Sequence, residues 1–208
     1  MGDMAMTVLE TAQAAQAAAS AAGGAMGFLD EVWKRVDAVR RKNLGERACL
    51  RAYYFEVVNN LEMLDIVNAS RFRAEKPNSP LVKALVSRLE TTMGAAILFG
   101  DEPEEGSQLF GFLKAQGRVA NTGGMVRRWS GGREETVKSG SFYENILQAV
   151  SFTVVKVEIL RRLTAFSDEE LAMLNGVMLE RRIVNIKARF GMIKEKLDGL
   201  KGIRELAR

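Results

Sequence analysis

Apolar positions between Leu50 and Asn68 set the frame for the chain. Leu50, Tyr54, Val57, Leu61, Leu64 and Asn68 recur at alternating steps of four and three, which draws one seam along a helix. Tyr53, Phe55, Val58, Met63, Ile66 and Val67 fall on its other sides. A helix apolar over most of its circumference is normally surrounded by neighbours, so this stretch is expected at the centre of a bundle.

The same spacing recurs on both sides. Leu29, Val32, Val36 and Val39 place a helix over Phe28 to Leu44, and Asn43 to Glu46 interrupts its seam before Leu50. Ser79-Pro80 reads as an N-cap followed by proline at the first helical position. Val82, Leu85, Leu89, Thr92 and Ala96 then predict one helix ending near Gly100. Asp101-Glu102-Pro103 resembles a further start, leading into a short helix through Leu109, Phe110, Phe112 and Leu113. Ser141 to Phe166 reads as a buried helix because of its length and its lack of internal Gly or Pro, despite its β-branched content. Ser167-Asp168-Glu169-Glu170 opens the last helix with a capping-box pattern. Ile183, Ile186, Phe190, Ile193, Leu197 and Leu200 carry that seam on, predicting one coiled-coil-like helix from Asp168 to near Leu206.

Two segments break the pattern. Residues 1–27 are rich in Ala, Gln, Ser and Gly, and the first basic residue is Lys34. They lack the positive start and apolar core of a signal peptide. Thr11 to Leu29 is uncharged and long enough to span a bilayer, yet Gln13, Gln16 and the alanines give it little insertion energy. An Ala-rich arm or extra helix is the reading, with its small residues available for an oligomer contact. The second segment, about 118–140, holds Gly123-Gly124, Gly131-Gly132 and Gly140. Between them MVRRW and REETVK can pair as a hairpin or form a loop. The expected organisation is therefore all-α: four to five main helices in one domain over 28–208, an irregular Gly-rich basic insertion, and a long C-terminal helix.

Composition narrows the chemistry. The 208 residues contain no histidine and a single cysteine, Cys49. That removes Ser-His-Asp and Cys-His nucleophile pairs, His-ligated zinc and the Glu-x-x-His di-iron pattern. An internal disulfide is excluded, which fits a reducing compartment and a cytoplasmic location, or any compartment where no staple is needed. Gly123-Gly124 matches neither phosphate-loop nor dinucleotide patterns. Glu62 and Asp65, one turn apart, are the remaining acid pair, and surface or ion-paired roles suit them best. No catalytic residue, cofactor or metal site is expected.

Charge supplies the candidates for contact. The net charge of +4 is modest, but basic residues flank the last seam on both edges. Lys187, Lys194 and Lys201 recur every seven residues on one, and Arg182, Arg189 and Lys196 on the other. Two such helices in parallel would oppose like charges, so the seam wants a partner with acidic flanks, or its edges face phosphates. The plainer reading is that aliphatic stems cover the core edge. In the insertion, Arg118, Arg127, Arg128 and Arg133 surround Trp129, a combination able to hold phosphates and stack a base, although Glu134 and Glu135 share the stretch. A solvated loop with Trp129 packed on a helix is the plainer reading there too.

These patterns place a non-enzymatic interaction or assembly protein first, acting by self-association or on a protein partner. An accessory nucleic-acid-binding protein comes second and membrane association through residues 11–29 a distant third. Assembly through the arm has a direct outcome. Deleting residues 1–27 should lower the mass in solution, read by native mass spectrometry, while circular dichroism keeps its helicity per residue. A truncated chain that retains the full assembly mass removes the arm from this reading.

Overall fold

The computed structural model describes residues 45–119, 125–130, 133–138, 142–174 and 177–203, with Lys34; over 118–119, 125–130, 133–138 and 142–144 it describes the backbone alone. The Ala-rich arm, and the helix expected over Phe28 to Leu44 apart from Lys34, lie outside the described residues. The fold is all-α. Its helices are α1 (Glu46–Ile66), α2 (Pro80–Arg88), α3 (Thr92–Phe99), α4 (Gln108–Lys114), α5 (Ile146–Leu163), α6 (Asp168–Ala172) and α7 (Leu179–Asp198), with a 3-10 turn over Ala69–Arg73.

Four of these helices close a ring. α7 packs on both α1 and α5, and α3 packs on the same two helices from the other side. The core inside the ring contains Leu50, Tyr53, Val57, Val150, Val157, Ile186, Phe190 and Ile193. α1 starts cleanly after Gly45, whose backbone is extended, so the seam restarts there. Its inner face follows the expected spacing at Leu50, Tyr54, Val57 and Leu64. Its outer side does not: Phe55 is 50% and Ile66 81% exposed. The central helix is covered by described residues on one side only.

The helix expected over 80–100 is broken. α2 stops at Arg88, Leu89 and Gly100 are extended, and α3 begins at Thr92. The seam through the break is local, whereas the forces that open it come from other helices. Asn60 of α1 donates to the Glu90 carbonyl (2.7 Å) and accepts from the Glu90 N–H (2.8 Å). Arg161 of α5 donates to the Leu89 carbonyl and to Thr91 Oγ1, and pairs with Glu158. Thr91 in turn donates to Glu158 (2.6 Å). Buried backbone groups freed by a break must find partners, and here side chains from two sides supply them.

Glu56 completes this arrangement. Thr91 makes no side-chain cap at the start of α3. Glu56 of α1 instead accepts the N–H groups of Met93 (2.6 Å) and Gly94 (2.9 Å), as a carboxylate at a helix N-terminus should. Gly94 makes the approach feasible, since a Cβ there would lie 3.0 Å from Val154, 3.2 Å from Tyr53 and 3.3 Å from Glu56.

The start predicted at Asp101-Glu102-Pro103 moves to Ser107, whose hydroxyl accepts the Phe110 N–H. The helix predicted from Ser141 begins at Ile146 instead. Asn145 and Gln148 form a reciprocal capping box, and the residues before it are strand β4 (Phe142–Asn145), paired with β1 (Gln116–Val119). At the neck of this ribbon the Ile146 N–H donates to the Ala115 carbonyl (2.9 Å). Gly117 of β1 lies over α7, and a Cβ on it would fall 2.4 Å from Met192 Sδ. Farther out, β2 (Met125–Ser130) and β3 (Arg133–Lys138) form the hairpin that the two segments of the insertion allow.

The last helix is also shorter than its seam. Ser167 and Glu170 form the expected capping box, but α6 ends at Ala172. α7 begins at Leu179, and after Asp198 the chain turns, with Gly202 at φ +86°. Asp168 at the capping box is held by Lys76 (2.7 Å) and Asn78 (2.8 Å). Those contacts tie α6 to the segment before α2, so the capped turn serves as a corner and not as the first turn of a long rod.

Burial pushes the Glu56 carboxyl from 4.5 up to about 7, against the lowering effect of the Met93 and Gly94 N–H groups. A carboxyl whose folded value is raised binds protons more readily when folded. Its stabilising contribution is therefore full below about pH 4.5 and lost as pH rises to about 7. Urea titrations at pH 5 and pH 8 should show Glu56→Gln flattening that fall, by up to about 3 kcal/mol. Parallel pH profiles for the two proteins would contradict the assignment.

Candidate functional site

Where α5 passes α7, the surface forms a groove of about 380 Å³ lined by Phe152, Lys156, Met178, Arg181, Arg182 and Asn185. Phe152 and Lys156 come from α5, one turn apart, and Arg181, Arg182 and Asn185 from the first two turns of α7. Spacings of three and four residues bring Arg182 and Asn185, and Arg181 and Asn185, to one side of the helix. Arg189, one heptad beyond Arg182, extends the same edge toward the core.

Phe152 organises the cations. The Arg189 guanidinium lies 3.5 Å from its ring centroid, and the Lys156 ammonium 5.5 Å. Arg189 is buried, which a cation tolerates when its planar group stacks on an aromatic face. Burial pushes Lys156 below its ordinary value, and the positive charges of Arg182 and Arg189 push it further. Arg182 is likewise lowered by burial. Among the described residues, no carboxylate lines the groove. Like charges gathered in a half-dry recess repel one another, so the lining favours an anion.

The two basic edges expected along the last helix meet different fates. Lys187 pairs with Asp65 of α1 (2.6 Å). Lys194 pairs with Asp198 (2.7 Å) beside the Tyr54 ring, and the Asp198 hydrogen bond leads the effects that hold it above its ordinary value. Lys201 is exposed in the turn after α7. Two of the three lysines on that edge are thus neutralised, one by α1 and one within α7. Of the other, Arg182 lines the groove, Arg189 is buried against the Phe152 ring, and Lys196 lies half-buried farther along α7. Glu62 and Asp65 are both exposed, and Asp65 serves the Lys187 pair.

The insertion residues are placed by backbone register. Arg118 stands opposite Tyr143 in the β1–β4 ribbon. In the outer hairpin Arg127 stands opposite Thr136, Arg128 opposite Glu135, Trp129 opposite Glu134 and Arg133 opposite Ser130. Across the hairpin, Arg128 and Glu135 form the one pair of opposite charges in register, and whether Trp129 packs on a helix lies outside the described side chains.

Phe152, Lys156, Met178, Arg181 and Asn185 were not singled out from the sequence. The available signals were slight: Lys156 is the first charge in a long apolar run, and Arg181 doubles Arg182. Among the described residues, no cluster of three or more Cys, Asp or Glu could hold a metal ion, and no helix is long and apolar enough to cross a membrane. Comparison with protein-family models, curated proteins and solved structures finds no match to this chain.

Removing a charge from such a cluster should relieve repulsion. Lys156→Met is expected to raise the melting temperature at low salt, equivalent to about 0.5 kcal/mol, with the gain shrinking as salt screens the site. Differential scanning fluorimetry at two salt concentrations reads this. A loss of stability at low salt would show that Lys156 is held by a compensating charge.

Proposed function

We propose that this chain is a non-enzymatic helical interaction protein whose α5–α7 groove receives an acidic segment of a protein partner. The observation carrying this reading is the convergence of Lys156, Arg181 and Arg182 in a groove that no carboxylate among the described residues lines. The mixed walls fit such a partner. Phe152 and the 62% exposed Met178 offer apolar contact, while Asn185 and the cations offer donors. Methionine adapts its shape to what it meets, which suits a recognition surface. The chain carries no histidine to serve as base or metal ligand.

Nucleic acid is the less favoured occupant. A strand tracked by its phosphates needs a run of free cations. Lys187 and Lys194 on the neighbouring edge are already paired with Asp65 and Asp198. The hairpin sets Arg128 against Glu135 in register. Self-association remains a second form of the same reading, with an acidic segment of another copy as partner.

A fluorescently labelled oligoglutamate tests the groove directly. Wild-type protein should bind it with an affinity that falls with salt, and the Lys156→Glu/Arg182→Glu double variant should lose about tenfold or more. Undiminished binding by that variant removes the groove from the reading. A labelled oligothymidylate bound more tightly than oligoglutamate, and lost in the same variant, would hand the site to nucleic acid.

A further inference from the structure

The groove is a point, not a track, and that constrains what fills it best. Its cations come from two helices and converge around one aromatic ring: Lys156 and Arg189 both approach Phe152, and Arg182 and Asn185 sit on the α7 side. The neighbouring lysines that would extend the charge along α7 are tied to Asp65 and Asp198. An extended polyanion therefore finds one concentrated site and little beyond it.

The donors exceed what a carboxylate can use. Arg181 and Arg182 each offer a planar fork of N–H groups, Lys156 offers three rotating donors and Asn185 an amide NH2. A carboxylate brings one charge and two oxygens. A phosphate monoester brings close to two charges at neutral pH and three acceptor oxygens, which neutralises more of the clustered charge from one position. A phosphodiester, as in nucleic acid, brings only one charge per group.

Resting on the reading of the groove as a partner contact, we propose that its specific ligand is a phosphorylated side chain of that partner, bound as the phosphate monoester dianion by Lys156, Arg181 and Arg182. Phe152 and Met178 take the alkyl part of the side chain, and Asn185 donates to a phosphate oxygen. The partner's phosphorylation state then governs its attachment.

Three glycine-rich peptides, identical but for one central phosphoserine, glutamate or serine, test this by isothermal titration calorimetry against the full chain. The phosphoserine peptide should bind about tenfold more tightly than the glutamate peptide. Its affinity should rise between about pH 5.5 and about pH 7.5, as the phosphate loses its second proton near pH 6. Lys156→Gln and Arg182→Gln should each weaken it several-fold, and Lys187→Gln should leave it unchanged. Circular dichroism confirms that the variants are folded, and Arg181→Gln offers a third probe should either variant fail to fold.

Equal binding of the phosphoserine and glutamate peptides overturns the phosphoryl preference while leaving the acidic-partner reading in place. Failure of both peptides, together with failure of oligoglutamate, overturns both. Unchanged phosphopeptide binding in Lys156→Gln and Arg182→Gln places any phosphate site elsewhere and also overturns the inference.

Discussion

The break between α2 and α3 is the constraint on which the ring of helices depends. Its backbone would prefer to continue as helix, since the apolar seam runs straight through it. What holds it open is a set of side-chain hydrogen bonds from both sides. Asn60 takes both polar groups of Glu90, Glu56 caps α3, and Arg161 closes on Leu89 and Thr91. A buried polar group left without a partner costs about 1–3 kcal/mol, so these contacts act together. They turn α3 so that it packs on α1 and α5 at once, and with α7 opposite, the ring closes.

Closing the ring in turn creates the groove. α7 must face α1 with one edge and α5 with the other, and the two edges carry the same charge. On the edge toward α1, Lys187 finds Asp65 of that helix and Lys194 finds Asp198 one turn on along α7. Toward α5, Arg182 meets another cation, Lys156, and Arg189 stacks on the Phe152 ring. The asymmetry comes from what lies along each edge: a carboxylate of α1 and one of α7 itself on the first, a ring and an ammonium of α5 on the second. One basic helix is thus half structural and half available for contact.

Much of the architecture was legible in the sequence. The seam of α1, the Ser79-Pro80 start, the capping box at Ser167 and the seam of α7 all follow from local spacing. Where reading failed, the cause was nonlocal. Nothing near Leu89 announces a break, because the groups that stabilise it sit on α1 and α5. Nothing in the spacing after Asp168 announces the corner that Lys76 and Asn78 hold. The site was half visible. Arg182 and Arg189 stood out by their heptad spacing, but Lys156 and Phe152 belong to another helix, and their meeting is a property of packing. The Lys194–Asp198 pair, four residues apart on one helix, was legible in the spacing, whereas the neutralisation of Lys187 depends on its edge meeting Asp65 of α1.

The neck of the insertion has a consequence for length. Ala115 and Ile146 are joined by a backbone hydrogen bond, and Gln116 pairs with Asn145 directly above it. The excursion between them leaves and re-enters the bundle at one point. The entropy of closing a flexible loop grows only with the logarithm of its length, about 0.6 kcal/mol per doubling. The neck, seated with Gly117 against Met192, therefore separates the bundle from events farther out. Residues could be added to or removed from the hairpin with little effect on how α5 docks against α7, leaving the outer strands free to vary while the groove stays fixed.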